Sequence, residues 1–203
     1  MRLILIRHGQ TQSNVEHIID TAVPGPALSD LGRRQAAAVP DAVRGEAIDA
    51  IYASTQLRSQ QTAAPLAAAR GLEVNIRAGI REVEAGDFEG TRDRTSIHDF
   101  VSIELGWVRG EMDVRMPGAQ TGTETIARFD KVVAEANAAG HKAAVFVSHG
   151  SIIRSWCGVR TDNVDVGFVY RNPLYNTGVV IVEGTPETGW TTVLWQERAV
   201  GVR

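Results

Sequence analysis

The sequence predicts an α/β fold, a three-layer αβα sandwich with a mostly parallel central sheet. Three short apolar runs carry this prediction, at residues 3–6, 50–52 and 143–147. Each run ends at polar residues or glycine, as strands buried on both faces commonly do. Longer stretches with helical spacing of apolar residues separate the runs. Strands that alternate with helices in this way are typical of parallel sheets.

Local signals predict three of the helices. Ser29 is a favourable N-cap for a first helix, and Pro40 is expected to kink or end it. Residues 56–70 are rich in alanine, which favours a second helix. Thr121 and Glu124 have the spacing of a capping box. Apolar residues that share one helical face follow that box, namely Ile126, Phe129, Val133 and Ala136.

The remaining segments predict two further strands and one irregular region within a single domain. Residues 178–182 and 192–195 predict two further strands, whereas residues 91–122 mix glycine, charged and aromatic residues without a clear period. We expect residues 91–122 to form a small insertion over the active-site end of the sheet. The chain has 203 residues, 43% of them hydrophobic, and no repeat or linker interrupts it. We therefore expect residues 1–203 to form a single domain.

Charge and cysteine content argue against several kinds of partner. The net charge is -3, whereas nucleic acids and anionic membranes require a basic face on the protein. Cys157 is the only cysteine, so no internal disulfide can form and a reducing compartment is favoured. The apolar run at residues 3–6 is too short for a signal peptide or a membrane span. These features predict a cytoplasmic protein.

Histidine and arginine side chains follow the predicted strands where those strands end. Arg7 and His8 come directly after the first strand, and His149 comes after residues 143–147. Arg58 lies one turn into the helix that follows Ser54 and the second strand. Ligands of open α/β sheets bind beyond the carboxyl ends of the strands. We therefore expect both histidines and both arginines to converge on one crevice.

Glycine follows each of the two histidines. Gly9 and Gly150 are expected to let the backbone approach a ligand closely. Each glycine also precedes a predicted helix, and the amide groups at a helix N-terminus favour anions. Together with the basic side chains, this pattern indicates a site for a dianion of the size of phosphate.

Four segments then match known motifs in order. They are Arg7-His8-Gly9-Gln10-Thr11-x-x-Asn14, the stretch from Ser54 through Arg58 to Ala63, the stretch from Ile80 through Glu82 to Gly90, and Val147-Ser148-His149-Gly150 with Arg154 after it. The combination resembles the histidine phosphatase superfamily, also called phosphoglycerate-mutase-like. The chain departs from the family pattern at Gln56, where leucine is usual, at Phe88, where tryptophan is usual, and at residues 117–121.

The resemblance implies a role for each matching residue. His8 would be the nucleophile and the carrier of a phosphohistidine, and Glu82 would donate a proton to the leaving group. The remaining motif residues would bind the phosphoryl group, namely Arg7, Asn14, Arg58, His149 and Gly150. Arg7, Arg58 and His149 would also stabilise charge in the transition state. Such a site needs mainly positioning and charge neutralisation to transfer a phosphoryl group.

The sequence thus predicts a histidine acid-type phosphatase that hydrolyses a small phosphorylated substrate without a metal or other cofactor. One alternative is a phosphoglycerate mutase, although mutases of the superfamily carry extra sequence around the site. A second alternative is a non-catalytic module that binds phosphate ligands. A cysteine phosphatase is excluded because Asn163 stands where Cys-x₅-Arg requires arginine. No nucleotide-binding loop, serine-hydrolase elbow or zinc-protease motif is present in the sequence.

Substrate selectivity is expected from residues 18–28 and from the insertion. Apolar side chains in these segments predict a partly apolar rim around the site, namely Ala22, Val23, Pro24, Trp107 and Met116.

Overall fold

A seven-stranded sheet forms the centre of the computed structural model, which describes residues 1–201. Its strands are β1 (Arg2–Arg7), β2 (Ala50–Ala53), β3 (Val74–Ile76), β4 (Ala143–Ser148), β5 (Val179–Thr185), β6 (Gly189–Trp195) and β7 (Arg198–Ala199). Their spatial order is β3-β2-β4-β1-β5-β6-β7. The first four strands in that order are parallel, and the last three pair antiparallel at one edge. The α/β prediction with a mostly parallel sheet core is therefore confirmed.

Helices cover both faces of this sheet. They are α1 (Gln12–Val15), α2 (Asp30–Ala42), α3 (Leu57–Arg70), α4 (Arg94–Val108), α5 (Gly122–Ala138), α6 (Gly150–Arg160) and α7 (Val166–Arg171). Short 3₁₀ turns lie at Ala78–Ile80 and Gly86–Phe88. Within residues 1–201, none of these helices combines the length and apolar character that crossing a membrane requires.

Alternating side chains of β1 divide the core into two layers. Leu3 and Leu5 pack in the cluster beneath α4, α5 and α6, whereas Ile4 and Ile6 pack in the cluster beneath α2 and α3. All four side chains are completely buried. Burial of each such side chain stabilises the fold by roughly 1.5–3 kcal/mol. The continuous apolar run in the sequence follows from this burial on both faces.

The three predicted helices lie where the sequence places them, except that Pro40 does not end the first one. The Ser29 side chain caps α2 by accepting a hydrogen bond from the Gly32 amide, and the helix continues past Pro40 to Ala42. The expectation that Pro40 ends the helix is wrong by two residues, because the proline lies in the last turn. Thr121 and Glu124 form the predicted capping box at the start of α5.

The segment at residues 91–122 contains more regular structure than the sequence suggested, because α4 occupies fifteen of its residues. Phe100 of α4 lines the cleft described below. Trp107 and Met116 are almost completely buried, so their expected place on an apolar rim is wrong. Of that set, Ala22, Val23 and Pro24 are exposed.

Candidate active site

The carboxyl ends of β1, β2 and β4 bring the predicted site residues together. Arg7 is paired with Ser148 in the sheet, so His8 and His149 leave adjacent strands at the same level. The His8 amide donates to the Ser148 carbonyl over 2.9 Å. The two imidazole rings lie 5.1 Å apart between centroids. Arg7, His8 and Arg58 line one cleft, as predicted, and His149 is buried beside His8 without lining that cleft.

His8 is buried and held in one orientation. Its Nδ1 lies 2.7 Å from the Gly9 carbonyl oxygen, which can only accept a hydrogen bond. Nδ1 therefore carries the proton, and Nε2 keeps its lone pair. The Nε of Arg58 donates to that Nε2 over 3.2 Å. Burial lowers the pKa of His8 well below its ordinary value, and the cations of Arg58 and Arg7 lower it further.

His149 has one ring nitrogen bonded and one free. Its Nε2 lies 2.7 Å from the Ser54 hydroxyl oxygen and 3.1 Å from that of Ser59. Its Nδ1 is buried and has no hydrogen-bond partner in the protein. Burial lowers the pKa of His149 well below its ordinary value, and the Arg58 cation adds to this effect. When the hydroxyls donate to Nε2 of the neutral ring, Nδ1 carries the proton and is a hydrogen-bond donor without a partner in the protein.

The two arginines are anchored through some of their nitrogens only. Nη1 of Arg7 donates to the Leu174 carbonyl over 2.7 Å. Nη2 of Arg58 donates to the Asp20 carbonyl over 2.9 Å, and its Nη1 lies 3.7 Å from the Asp20 carboxylate. Burial is the largest cause that lowers the pKa of each guanidinium. No motif in the sequence indicates Leu174 or Asp20 as an anchoring residue.

Three buried nitrogens of the site have no hydrogen-bond partner within the protein. They are Nε of Arg7, Nη1 of Arg58 and Nδ1 of His149. Buried donors in folded proteins are nearly always paired, and an unpaired one costs about 1–3 kcal/mol. Unpaired donors together with two guanidinium charges are the groups that an oxyanion with several acceptor oxygens requires of a binding site.

The two glycines of the site contact the protein itself. A Cβ atom on Gly9 would lie 2.6 Å from the Gly32 carbonyl oxygen of α2. A Cβ atom on Gly150 would lie 3.2 Å from Nε of Arg7, at the first residue of α6. Both glycines therefore have a packing role, and their expected close approach to a ligand stays a prediction. Gly150 allows Arg7 to lie against the start of α6.

Asn14 supports the wall of the cleft. Its Oδ1 accepts from the Thr11 amide over 3.1 Å and from Nδ2 of Asn176 over 3.1 Å. The same Asn176 amide donates to the His8 carbonyl over 3.1 Å. Asn14 therefore connects α1 to the segment that carries His8, through a residue that the sequence did not single out.

Glu82 lies at the amino end of α6. Its Oε1 accepts from the amides of Val83 over 2.9 Å and Ile152 over 2.8 Å. Its Oε2 accepts from the amide of Ser151 over 3.2 Å. Glu82 and Ser151 line the same cleft of about 150 Å³ as His8. The predicted proton donor thus lines the same cleft as the predicted nucleophile.

A buried arginine of α5 fixes the loop that carries Glu82. Arg128 donates to the carbonyl oxygens of Gly79 over 2.8 Å, Arg81 over 2.7 Å and Glu82 over 2.7 Å. Burial lowers the pKa of Arg128 to about 10. The sequence did not identify this residue.

A groove of about 820 Å³ lies between the end of α2 and strands β5 and β6, and it contains none of the predicted site residues. Among residues 1–201, no group of three or more histidine, cysteine, aspartate or glutamate side chains is arranged to hold a metal ion.

Residues 3–198 match the model of the histidine phosphatase superfamily, branch 1. A PE-PGRS family protein of Mycobacterium tuberculosis, PE_PGRS11, is 35% identical over 97% of this chain and 36% of its own length. A protein of Salmonella choleraesuis named probable phosphoglycerate mutase GpmB is 30% identical over 66% of this chain and 62% of its own length. The chain thus spans about a third of the first of these relatives and less than two thirds of the second.

Solved structures of phosphatases also resemble this chain in fold. A mycobacterial glucosyl-3-phosphoglycerate phosphatase in complex with VO3 superimposes with a TM-score of 0.80 and is 26% identical, with 97% of this chain and 99% of that chain covered. The α-ribazole phosphatase of Shigella flexneri has a TM-score of 0.75 and 22% identity, with both chains fully covered. Because this identity is only 22%, the similarity to the α-ribazole phosphatase concerns the fold alone.

Proposed function

Because the chain belongs to the histidine phosphatase superfamily, we propose that it hydrolyses phosphomonoesters through a phosphohistidine on His8. The observation that carries the proposal is the environment of His8 Nε2. This nitrogen keeps its lone pair, and it lies among buried donors of Arg7, Arg58 and His149 that have no partner in the protein. A nucleophile beside unpaired cationic donors suits attack on a phosphate dianion.

The first step transfers the phosphoryl group to His8. Nε2 attacks phosphorus as the ester bond breaks, and the electrons of that bond leave with the alcohol oxygen. The Arg58 Nε that donates to Nε2 in the free site turns to a phosphoryl oxygen. The Gly9 carbonyl keeps the proton on Nδ1 and stabilises the positive charge that develops on the ring.

Glu82 protonates the alcohol oxygen as it leaves. The proton is held on Oε2, which accepts only one backbone hydrogen bond, whereas Oε1 accepts two. In the second step the Glu82 carboxylate takes a proton from water, which attacks the phosphohistidine and releases phosphate. The same group thus serves as acid and then as base.

Protein cations supply the charge that a metal ion supplies in other phosphatases. Two guanidinium groups and the His149 Nδ1–H match the charge and the equatorial oxygens of the phosphoryl group. We therefore propose that turnover requires no metal ion.

The relatives suggest where the substrate search begins. One solved neighbour is a glucosyl-3-phosphoglycerate phosphatase, so phosphorylated sugars and glycerates come first in a substrate panel. The second candidate function is a phosphoglycerate mutase, because curated relatives carry that name. Assay of 3-phosphoglycerate with and without a bisphosphoglycerate primer separates the two, since a mutase forms 2-phosphoglycerate and a hydrolase releases inorganic phosphate.

A direct test uses p-nitrophenyl phosphate. We expect hydrolysis that EDTA leaves unchanged and that vanadate inhibits, because vanadate imitates five-coordinate phosphorus. A panel of sugar phosphates, phosphoglycerates, nucleotides and phosphopeptides then identifies the substrate class. Absence of any phosphate release favours a binding module, and activity that EDTA removes and Mg²⁺ restores contradicts metal independence.

A further inference from the structure

Gln56 is a completely buried amide side chain at the N-cap of α3, where the family pattern has leucine. Its Nε2 donates to the Thr21 carbonyl oxygen over 2.9 Å, and its Oε1 accepts from the Glu82 amide over 3.0 Å. Because a backbone carbonyl only accepts and a backbone amide only donates, these two partners fix the orientation of the side-chain amide. Gln56 does not line the cleft, and the chemistry assigned to His8 and Glu82 does not use it.

The start of α3 holds the loop that forms one side of the cleft. Residues 18–21 of this loop line the cleft. Three consecutive residues at the start of α3 donate hydrogen bonds to carbonyl oxygens of the loop, namely Gln56 to Thr21, Leu57 to Pro24 and Arg58 to Asp20. The helix that carries Arg58 therefore also sets the position of the loop.

A further contact joins this loop to the segment of Glu82. The Thr21 hydroxyl oxygen accepts from the Ala85 amide over 3.0 Å. Together with the two bonds of Gln56, this contact closes a ring through the backbone between Glu82 and Ala85. A polar network in which every member is paired holds its members rigidly. Gln56 supplies two of the three hydrogen bonds in the ring.

The backbone of Gln56 is connected to the phosphate side of the site. Its amide donates to the Ser54 hydroxyl oxygen over 3.2 Å, and that oxygen lies 2.7 Å from Nε2 of His149. Because the Ser54 oxygen accepts from Gln56, its own hydrogen is free to donate to the imidazole. Gln56 therefore lies between His149 and Glu82, with its backbone towards the first and its side chain towards the second. A side-chain substitution leaves the contact with Ser54 in place.

We propose that Gln56 is a positioning residue, which fixes the backbone of Glu82 so that its carboxyl group meets the oxygen of the leaving alcohol. The proposal rests on the function proposed above. Gln56 transfers no proton and acts only through Glu82. Arg128 holds the Glu82 carbonyl from the other side, and Gln56 holds the amide. Leucine offers neither a donor nor an acceptor, so a chain with leucine here has to hold the corresponding amide in another way.

The test compares Gln56→Met with the wild type on an alkyl phosphate and on p-nitrophenyl phosphate. Met keeps the length of the side chain and removes both of its hydrogen bonds. We expect kcat on the alkyl phosphate to fall about tenfold, because a displacement of about 1 Å at a reacting group can cost roughly 10²-fold. The rate on p-nitrophenyl phosphate should stay within about twofold, since that leaving group needs no proton.

A double variant separates positioning of Glu82 from general support of the fold. If Gln56 acts through Glu82, Gln56→Met/Glu82→Gln should be no slower on the alkyl phosphate than Glu82→Gln alone. A residue that only supports the fold would instead multiply the loss. Gln60→Met is the matched control, because Gln60 lies one turn further along α3 and donates to the Thr55 carbonyl over 3.0 Å. It should match the wild type on both substrates.

Hydrogen exchange of the Glu82 amide tests the contact without any turnover. The amide of Val145, in the buried strand β4, serves as the reference for unfolding of the whole protein. We expect the ratio of the Glu82 exchange rate to the Val145 exchange rate to rise about tenfold or more in Gln56→Met. The ratio corrects for any loss of global stability that the substitution causes.

Three results would overturn the proposal. They are an equal loss on both substrates in Gln56→Met, wild-type kcat in that variant on the alkyl phosphate, and an unchanged exchange ratio. The proposed function is judged separately, by phosphoenzyme formation on His8 in the wild type. A wild type that forms the phosphohistidine, with a Gln56→Met variant that shows no selective loss, refutes the positioning role alone. A wild type that forms no phosphohistidine refutes the proposed function, whatever the exchange ratio shows.

Discussion

Arg58 Nε donates a hydrogen bond to His8 Nε2 over 3.2 Å, so a cation covers the lone pair that is expected to attack phosphorus. The contact keeps the imidazole neutral, because a protonated Nε2 could not accept this bond. In the proposed reaction, the same guanidinium would meet an arriving phosphoryl oxygen. The proposed function therefore gives Arg58 two roles, one at the nucleophile in the free site and one at the transferred group during the reaction.

Replacement of Arg58 should affect the reaction far more than the fold. We expect Arg58→Ala to lose about 10²–10³ in kcat/KM, since a single charge-stabilising donor is worth roughly 3–4 kcal/mol. Arg58→Lys should recover only part, because an ammonium group cannot bond to the Asp20 carbonyl and to phosphate with a planar fork. Kinetics on p-nitrophenyl phosphate measure both, with Arg33→Ala on the exposed face of α2 as the control. Wild-type kcat/KM in Arg58→Ala would remove Arg58 from the site.

The pH dependence of kcat/KM should reflect the low pKa of His8. Burial and the cations of Arg58 and Arg7 lower this pKa, so the neutral, nucleophilic form persists below the ordinary value of 6.5. We expect the acidic limb of kcat/KM that belongs to His8 to lie well below pH 6.5. The ring proton signals of His8, identified by their loss in His8→Ala, give an independent titration by NMR. A midpoint at or above 6.5 in the free protein would contradict the described environment.

Glu82 should matter only for leaving groups that need a proton. We expect Glu82→Gln to lose most of its activity on an alkyl phosphate and to keep much of it on p-nitrophenyl phosphate, because p-nitrophenolate leaves without help. Glu84 provides the matched control, since its carboxylate pairs with Arg81 over 2.7 Å and does not line the cleft. Glu84→Gln should therefore resemble the wild type on both substrates. Equal losses in Glu82→Gln would give Glu82 a structural role.

Protein stability should depend on pH through Glu104. Its pKa in the folded state is about 8 against 4.5 for an exposed glutamate, so the folded state binds more protons between these values. The free energy of unfolding should therefore contain a contribution that falls as pH rises from about 4.5 to 8, by about 1.4 kcal/mol per pH unit at most, and then levels off. Urea unfolding should show that Glu104→Gln gains stability relative to the wild type across this window. A difference that stays constant with pH would contradict the buried, protonated carboxyl group.

Much of the fold and the site could be predicted because the signals are local. The strands with both faces buried are continuous apolar runs, and His8 and His149 directly follow two of them. Helix α4 was missed because Glu104 and Gly106 occupy buried positions among its apolar residues and interrupt the helical pattern. A buried acid thus concealed the helix that carries it.

The supporting contacts of the site could not be predicted because they join distant parts of the chain. Asn176 bonds to His8 across 168 positions, and Arg128 holds the Glu82 loop from 46 positions away. Both are ordinary polar residues in the sequence, and only the packing of α5 and of the segment before β5 gives them a role.

The most direct test of the account is to identify the phosphorylated residue. The wild-type protein is mixed with ³²P-labelled substrate, quenched in alkali and digested, and the label is located by mass spectrometry. We predict an acid-labile, alkali-stable phosphoryl group on Nε2 of His8, and no label in His8→Ala. A label on another residue, or a label that persists in His8→Ala, would contradict the central claim.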